Sequence, residues 1–170
     1  MSMQVVLVDK NDKVLGCKEK FEAHHRPVLL HRAISVIILD SSGTKMLLQK
    51  RNADKPTWPL FWSNACCTHP YMDESYLDCA SRRLKEEMGF EVPLTEKLRF
   101  VYEADYDKVW GEHEHDVVFE GKYDGEIKSD PQEVADWKWM RVDDLKKDIR
   151  VKPEIYTPWF KLILDKLPIL

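Results

Sequence analysis

A thiol and an imidazole stand two residues apart at Cys67 and His69, in the run N-A-C-C-T-H-P from Asn64 to Pro70. Farther along, Glu112-His113-Glu114-His115-Asp116 sets two carboxylates at i and i+2. On an extended strand alternate side chains share a face, so Glu112 and Glu114 point the same way. Neighbouring carboxylates repel unless a cation or a shared proton lies between them. The pair is therefore either a solvated acidic stripe or part of a metal site. Imidazoles that could complete such a site are His24, His25, His31 and His69. A mixed imidazole and carboxylate set suits Mn²⁺ or Zn²⁺, with Mg²⁺ a weaker fit. A histidine taken singly is more often structural, and the seven-residue step from His24 to His31 diagnoses nothing.

Cys67 reads as a nucleophile, an acid/base thiol, a metal ligand or a small buried thiol. Cys66 suits the buried reading better, because its side chain faces the other way in an extended segment. Cys79 falls inside a helical stretch and reads as structural. That stretch ends in Glu86-Glu87, one turn after Arg82-Arg83. Carboxylates at a helix C-terminus oppose the macrodipole, so another task, such as holding Mg²⁺, is a reason for them. Lys20, Arg51, Lys55 and Arg83 could supply charge to a diphosphate. Each of these cations alone is ordinarily a solvated surface charge.

The elements that must position these groups follow from pattern. Gln4 to Val8 and Val14 to Lys18 form a hairpin around the turn at Asp9 to Asp12. Lys20 to Leu30 lacks periodicity and is predicted as a loop. Ala33 to Leu39 reads as a buried strand, with Lys45 to Lys50 as its hairpin partner across Ser41-Ser42-Gly43. Asn52 to Phe61 is an irregular loop. Asp73 is the predicted N-cap of a helix from Glu74 to Met88, with Leu77, Ala80, Leu84 and Met88 on one face and Gly89 as its stop. Leu98 to Tyr106 and Glu112 to Lys122 are longer strands, and Trp137 to Met140 a short one. Asp143 or Asp144 caps a brief helix, and Thr157-Pro158 opens a last helix through Lys166. Hairpins mixed with helices imply an α+β or layered α/β/α arrangement around a mixed sheet, without a Rossmann unit. No G-x-G-x-x-G or P-loop run occurs.

Composition sets the frame. A chain of 170 residues suits one domain, 1–170. With 44% apolar and 33% charged residues, the chain has the balance of a soluble folded protein. A net charge of −4 with interspersed signs argues against nucleic acid as the main partner. No apolar run is long enough for a membrane span, and Met1 to Asp9 has no signal-peptide pattern, so a cytoplasmic protein is expected. Its four cysteines, Cys17, Cys66, Cys67 and Cys79, are then free, reactive or metal-bound rather than bridged. A monomer is expected, with an oligomer left open.

The stretch Thr68 to Phe90 resembles the Nudix box, G-x5-E-x7-R-E-U-x-E-E-x-G-U. Glu74, Arg82, Leu84, Glu86, Glu87, Gly89 and Phe90 stand in register, while Thr68 replaces the first glycine and Arg83 a glutamate. The lost glutamate is one that Nudix hydrolases place on their metals, which argues against diphosphate hydrolysis. W-S-N-A-C-C-T-H-P, W-G-E-H-E-H-D and T-P-W-F together resemble one branch, the type I isopentenyl-diphosphate Δ-isomerases. That resemblance runs from Lys20 to the last helix and implies a Nudix-like α/β/α sandwich.

It further implies that Cys67 is the catalytic thiol and Glu114 its partner across the substrate. His24, His31, His69, Glu112 and Glu114 would ligate one divalent ion, Mn²⁺ or Zn²⁺, with His24 preferred to His25. Glu87, with the Cys67 carbonyl nearby, would hold a Mg²⁺ that sits on the substrate diphosphate. Lys20, Arg51, Lys55 and Arg83 match diphosphate-binding positions, and Tyr102 and Trp159 the aromatic lining. The implied reaction interconverts isopentenyl and dimethylallyl diphosphate, with proton delivery from the Glu114 region and acceptance by a Cys67 thiolate, the roles exchanging in reverse. Two other readings remain: a Nudix-type diphosphate hydrolase, and a non-catalytic metal- or protein-binding domain.

Overall fold

The fold is built on β3 (His31–Leu39), in which every residue but Arg32 is buried. A strand apolar on both faces must be covered on both. The computed structural model, which describes residues 3–167, meets that need with a mixed sheet between two helical layers. β8 (Gly111–Lys122) runs parallel along one edge of β3, from His31 opposite Glu114 to Leu39 opposite Lys122. Three strands share the other edge in succession: β1 (Gln4–Val8) at His31, β6 (Cys66–Thr68) at Ile34 to Val36, and β4 (Lys45–Arg51) at Leu39. β2 (Val14–Glu19) pairs with β1, β7 (Thr95–Asp105) with β8, and β5 (Trp62–Ser63) and β9 (Val134–Arg141) with β4.

Side-chain alternation then decides what faces what. Ile34, Val36 and Ile38, with Val117 and Phe119, pack under α2 (Tyr76–Met88). Ile37, Leu39 and Val118 pack under α3 (Val142–Val151) and α4 (Pro158–Lys166). His31 shares that second face, and the register brings Glu114 beside it, Tyr102 opposite Glu114, and Cys67 opposite Ser35. One sheet face therefore carries all of these polar groups, while Cys66, opposite Val36, is sealed on the other.

α2 differs from its predicted form at its start. Ser75, not Asp73, is the N-cap: its Oγ accepts from the Asp78 N–H at 3.1 Å and donates to the Asp78 carboxylate at 2.6 Å. Glu74 lies outside the helix, gripped by Arg82 Nε at 2.6 Å. The buried face is Cys79, Ala80, Leu84, Glu87 and Met88, whereas Leu77 is exposed. Gly89 ends the helix as expected, at φ 81°, and a Cβ there would meet the Lys128 carbonyl at 2.5 Å.

Other expectations are corrected by tertiary pairing. Lys20 to Leu30 is no plain loop: α1 (Lys20–His24) forms a single turn, capped by the Glu19 carboxylate accepting from the Glu22 N–H at 3.0 Å. The β3–β4 hairpin has one pair, Leu39 with Met46, because β6 occupies the edge beyond and β4 pairs along its length with β9. Trp137 to Met140 is the centre of the longer β9. α3 begins after Arg141 with no side-chain cap, leaving Asp143 and Asp144 in its first turn. Thr157 does precede α4, with Pro158 first in the helix, though its side chain caps nothing. No helix among the described residues is long and apolar enough to cross a membrane.

Candidate active site

Five buried side chains from four segments meet at one end of the functional face. His24 comes from α1, His31 from the start of β3, His69 from just past β6, and Glu112 and Glu114 from β8. Their ligand atoms all lie within 4.8 Å of one another. The one-turn helix α1 aims His24 inward, and exposed His25 points elsewhere, toward Trp110 at 5.6 Å between ring centres. His24 Nδ1 donates to the Lys20 carbonyl at 2.6 Å and His31 Nδ1 to that of Leu29 at 2.7 Å. Each bond fixes the tautomer and leaves Nε2 as a lone pair facing the cluster.

His24 Nε2 lies 2.8 Å from Glu112 Oε2, yet neither atom has an aligned hydrogen bond, and His31 Nε2 and His69 Nδ1 also lack one. Buried acceptors crowded together without donors are what a divalent cation would satisfy. The residues therefore fit a metal, by donor chemistry as well as by spacing.

Charges within the cluster are held apart by their surroundings. Burial pushes His69 well below the usual imidazole range, leaving it neutral. Burial also works against protonation of His24, but the neighbouring Glu112 carboxylate outweighs it and raises this imidazole. Glu114 would be raised by burial; the imidazoles of His31 and His69 beside its Oε1 instead hold it well below the usual carboxylate range. Its Oε1 is 2.9 Å from His69 Nε2, and its Oε2 accepts from the Tyr102 hydroxyl at 2.5 Å. Burial, then the Glu114 charge, pushes Tyr102 well up, so it is the donor.

A cleft of about 90 Å³ joins this cluster to Cys67. Trp159, at its wall, is fixed by its indole N–H to Ser63 Oγ at 3.1 Å and edge-on packing with Trp58. Burial pushes the half-buried Cys67 thiol up to about 12, against the pull of Arg51, whose Nη1 is 3.8 Å from the sulfur. Burial thus favours the thiol form of this group in the open pocket. Arg51 is held by the carbonyls of Trp58 and Thr57 at 3.0 and 2.9 Å, and stacks over Trp159 at 5.2 Å.

Lys20, Arg51, Lys55 and Arg83 all line the cleft. Burial lowers the Lys20 ammonium, opposed by Glu112. Glu87 stands behind Arg83 and outside the lining: Arg83 Nη2 donates to its Oε1 at 2.6 Å and Gln49 Nε2 to its Oε2 at 2.9 Å. Glu86, exposed, pairs with Arg82 and Arg83.

Comparison with known proteins agrees with this geometry. The NUDIX domain family matches residues 29–160. An isopentenyl-diphosphate Delta-isomerase 2 of Aromatoleum aromaticum is 42% identical over 167 residues, covering 98% of this chain and 87% of the relative. An isopentenyl-diphosphate Delta-isomerase of Burkholderia multivorans is 39% identical, covering 100% and 97%. The chain belongs to the isopentenyl-diphosphate Delta-isomerase family. Among solved structures, a Deinococcus radiodurans protein shares the fold, with a TM-score of 0.77 at 15% identity over 95% of this chain and 97% of that one. A MutT NUDIX hydrolase of Burkholderia pseudomallei shares it at 0.65 and 19% identity, over 81% and 98%.

For a member of the isopentenyl-diphosphate Delta-isomerase family, the sequence motifs reached most of the cleft but not all of it. Thr57, which donates to Glu112 Oε1 at 3.3 Å, sits in a loop with no motif. Trp110 lines the cleft from inside a motif that gave it no role. Asp116 is fully buried on the same face; burial and the Glu114 charge raise its carboxyl, and the Ser35 hydroxyl donates to it at 2.9 Å. Glu133, beside Lys55 and Arg83, had no local signal at all.

Proposed function

We propose that residues 1–170 form one Nudix-like isomerase domain that interconverts isopentenyl and dimethylallyl diphosphate. The observation that carries this reading is one cleft lined by Cys67 and Glu114 together with His24, His69 and Glu112 of the metal-ligand cluster and the cations Lys20, Arg51, Lys55 and Arg83. Moving an alkene bond along a five-carbon unit requires a proton given at one carbon and a proton taken at another. The intervening species has carbocation character, so both groups must be in place before reaction. Preplacing them removes much of the entropic barrier.

Burial favours the protonated form of Cys67 Sγ, and the imidazoles beside Glu114 favour its charged form. That distribution starts one direction of the exchange, and the opposite distribution starts the other. Tyr102 holds Glu114 through Oε2 and keeps the carboxylate aimed. Trp159 presents an indole to the cationic centre, an attraction of roughly 0.5–2 kcal/mol. The aromatic wall also excludes water that would otherwise capture the cation. Lys20, Arg51, Lys55 and Arg83 grip the diphosphate, which positions the substrate without reacting. His24, His31, His69, Glu112 and Glu114 would hold Mn²⁺ or Zn²⁺, whose charge would fix Glu114; Glu87 would hold a Mg²⁺ brought with the diphosphate once Arg83 turns from its Oε1 to the phosphates, which that ion would screen. The chain acts in the cytoplasm as a monomer on a small-molecule substrate, with neither nucleic acid nor membrane as partner.

The test is purified protein with isopentenyl diphosphate and divalent ions in D₂O, followed by NMR. Deuterium entering C4 with formation of dimethylallyl diphosphate supports the reading. Release of phosphate without isomerisation would show a hydrolase instead.

A further inference from the structure

Glu133 lies on the turn before β9, at the cationic end of the cleft. Its Oε2 forms an ion pair with Lys55 Nζ, and its Oε1 lies 3.2 Å from Arg83 Nη2. Each carboxylate oxygen thus faces one cation, and Glu133 shares Arg83 Nη2 with Glu87 Oε1 at 2.6 Å. The backbone beneath is pinned on both sides. Glu133 O accepts from the Asn52 N–H at 3.1 Å, Pro131 O from Asn52 Nδ2 at 2.7 Å, and the Asp130 N–H donates to Glu87 O at 2.9 Å. A fixed carboxylate therefore tethers two long, rotamer-rich cations at the end of the cleft.

We infer that Glu133 is a positioning residue that holds Lys55 and Arg83 as a resident anion and yields them to the diphosphate of an incoming substrate. The inference rests on the isomerase reading for its substrate. Two like charges, on Lys55 and Arg83, are brought to one carboxylate, which offsets their repulsion in the open pocket. A diphosphate entering the same space must compete with that carboxylate for both cations. The same competition helps the product diphosphate leave. Glu133 thus weakens ground-state binding while keeping the grip ordered, which favours turnover over affinity.

The experiment is calorimetric titration of inorganic pyrophosphate into the wild-type chain, E133Q and E133D, beside steady-state kinetics and thermal melts. E133Q keeps the shape but loses the charge and one of the two acceptor oxygens. Its expected pyrophosphate affinity is about three- to tenfold tighter, the scale of one or two partly exposed ion pairs. KM and kcat for isopentenyl diphosphate fall together in E133Q, a split that mere loosening of the fold would not give. E133D, which keeps the charge, recovers more than half of the difference. Unchanged or weaker pyrophosphate binding by E133Q overturns the inference, as does E133D behaving like E133Q. A wild-type chain that binds pyrophosphate, tightens in E133Q and yet fails to isomerise would overturn the isomerase reading alone.

Discussion

Replacing Tyr102 by phenylalanine removes one oxygen from the middle of the proposed chemistry and leaves the ring in place. That ring packs against Phe100 at 5.6 Å and is 6% exposed, so its apolar contacts survive the change. What is lost is the hydroxyl donor to Glu114 Oε2; the imidazoles of His69 and His31 approach the other oxygen, at 2.9 and 3.7 Å. A hydrogen bond to a buried ionised group contributes about 1.5–3 kcal/mol. If Glu114 needs that bond to stay aimed in the transition state, kcat falls roughly 10- to 150-fold, since 1.4 kcal/mol is a factor of ten. KM changes little, because the diphosphate is gripped by other residues. The assay is initial-rate conversion of isopentenyl diphosphate across a range of pH, with a thermal melt as the control for folding. The Glu114 carboxylate loses a donor to its charged form, so its titration moves upward in the pH profile. Wild-type kcat with an unmoved profile in Y102F would refute the claim that this hydroxyl orients Glu114.

Cys67→Ala and Glu114→Gln each abolish turnover while far-UV circular dichroism stays native. Because the folded Cys67 thiol titrates at about 12, above its ordinary 9.0, its stabilising contribution is full below pH 9 and is lost as pH rises toward 12. Denaturant melts at pH 8 and pH 10.5 therefore show a drop that is smaller in C67A. Stripping divalent ions with a chelator lowers the melting temperature, and Mn²⁺ at a hundred times its Kd restores it by about 5–10 °C, from ~2.7 kcal/mol of linkage. That recovery shrinks at pH 5, where the imidazoles compete for protons. Gly89→Ala, which forces a Cβ against Lys128 O at a φ of 81°, lowers stability by about 2 kcal/mol in urea unfolding.

Much of the site was legible because it lies in runs that alternate. The i, i+2 spacing of Cys67 with His69 and of Glu112 with Glu114 is itself the statement that each pair shares a face. The layered architecture followed from hairpins mixed with helices. What sequence could not show was made by tertiary contact. α1 is a single turn, too short for a periodic signal, yet it aims His24 and Lys20. β5 and β6 are two and three residues long and exist as strands because β4 and β3 offer them edges. Asp73 and Ser75 are both good caps by type, and the reciprocal bonds between Ser75 and Asp78 decided between them. Glu133 meets Lys55 across 78 positions of chain, and no local pattern encodes such a pairing.

Cys66 and Cys67 are covalent neighbours that behave as strangers. One sulfur is sealed beneath α2 and the other opens on the cleft, because β6 turns successive side chains to opposite faces of the sheet. A trivalent arsenical that needs both sulfurs on one side has nothing to clasp here unless β6 peels away from β3. Single-site electrophiles face a different choice, with one accessible sulfur and one hidden. Within the doublet, a reagent entering the cleft meets Cys67 and not Cys66.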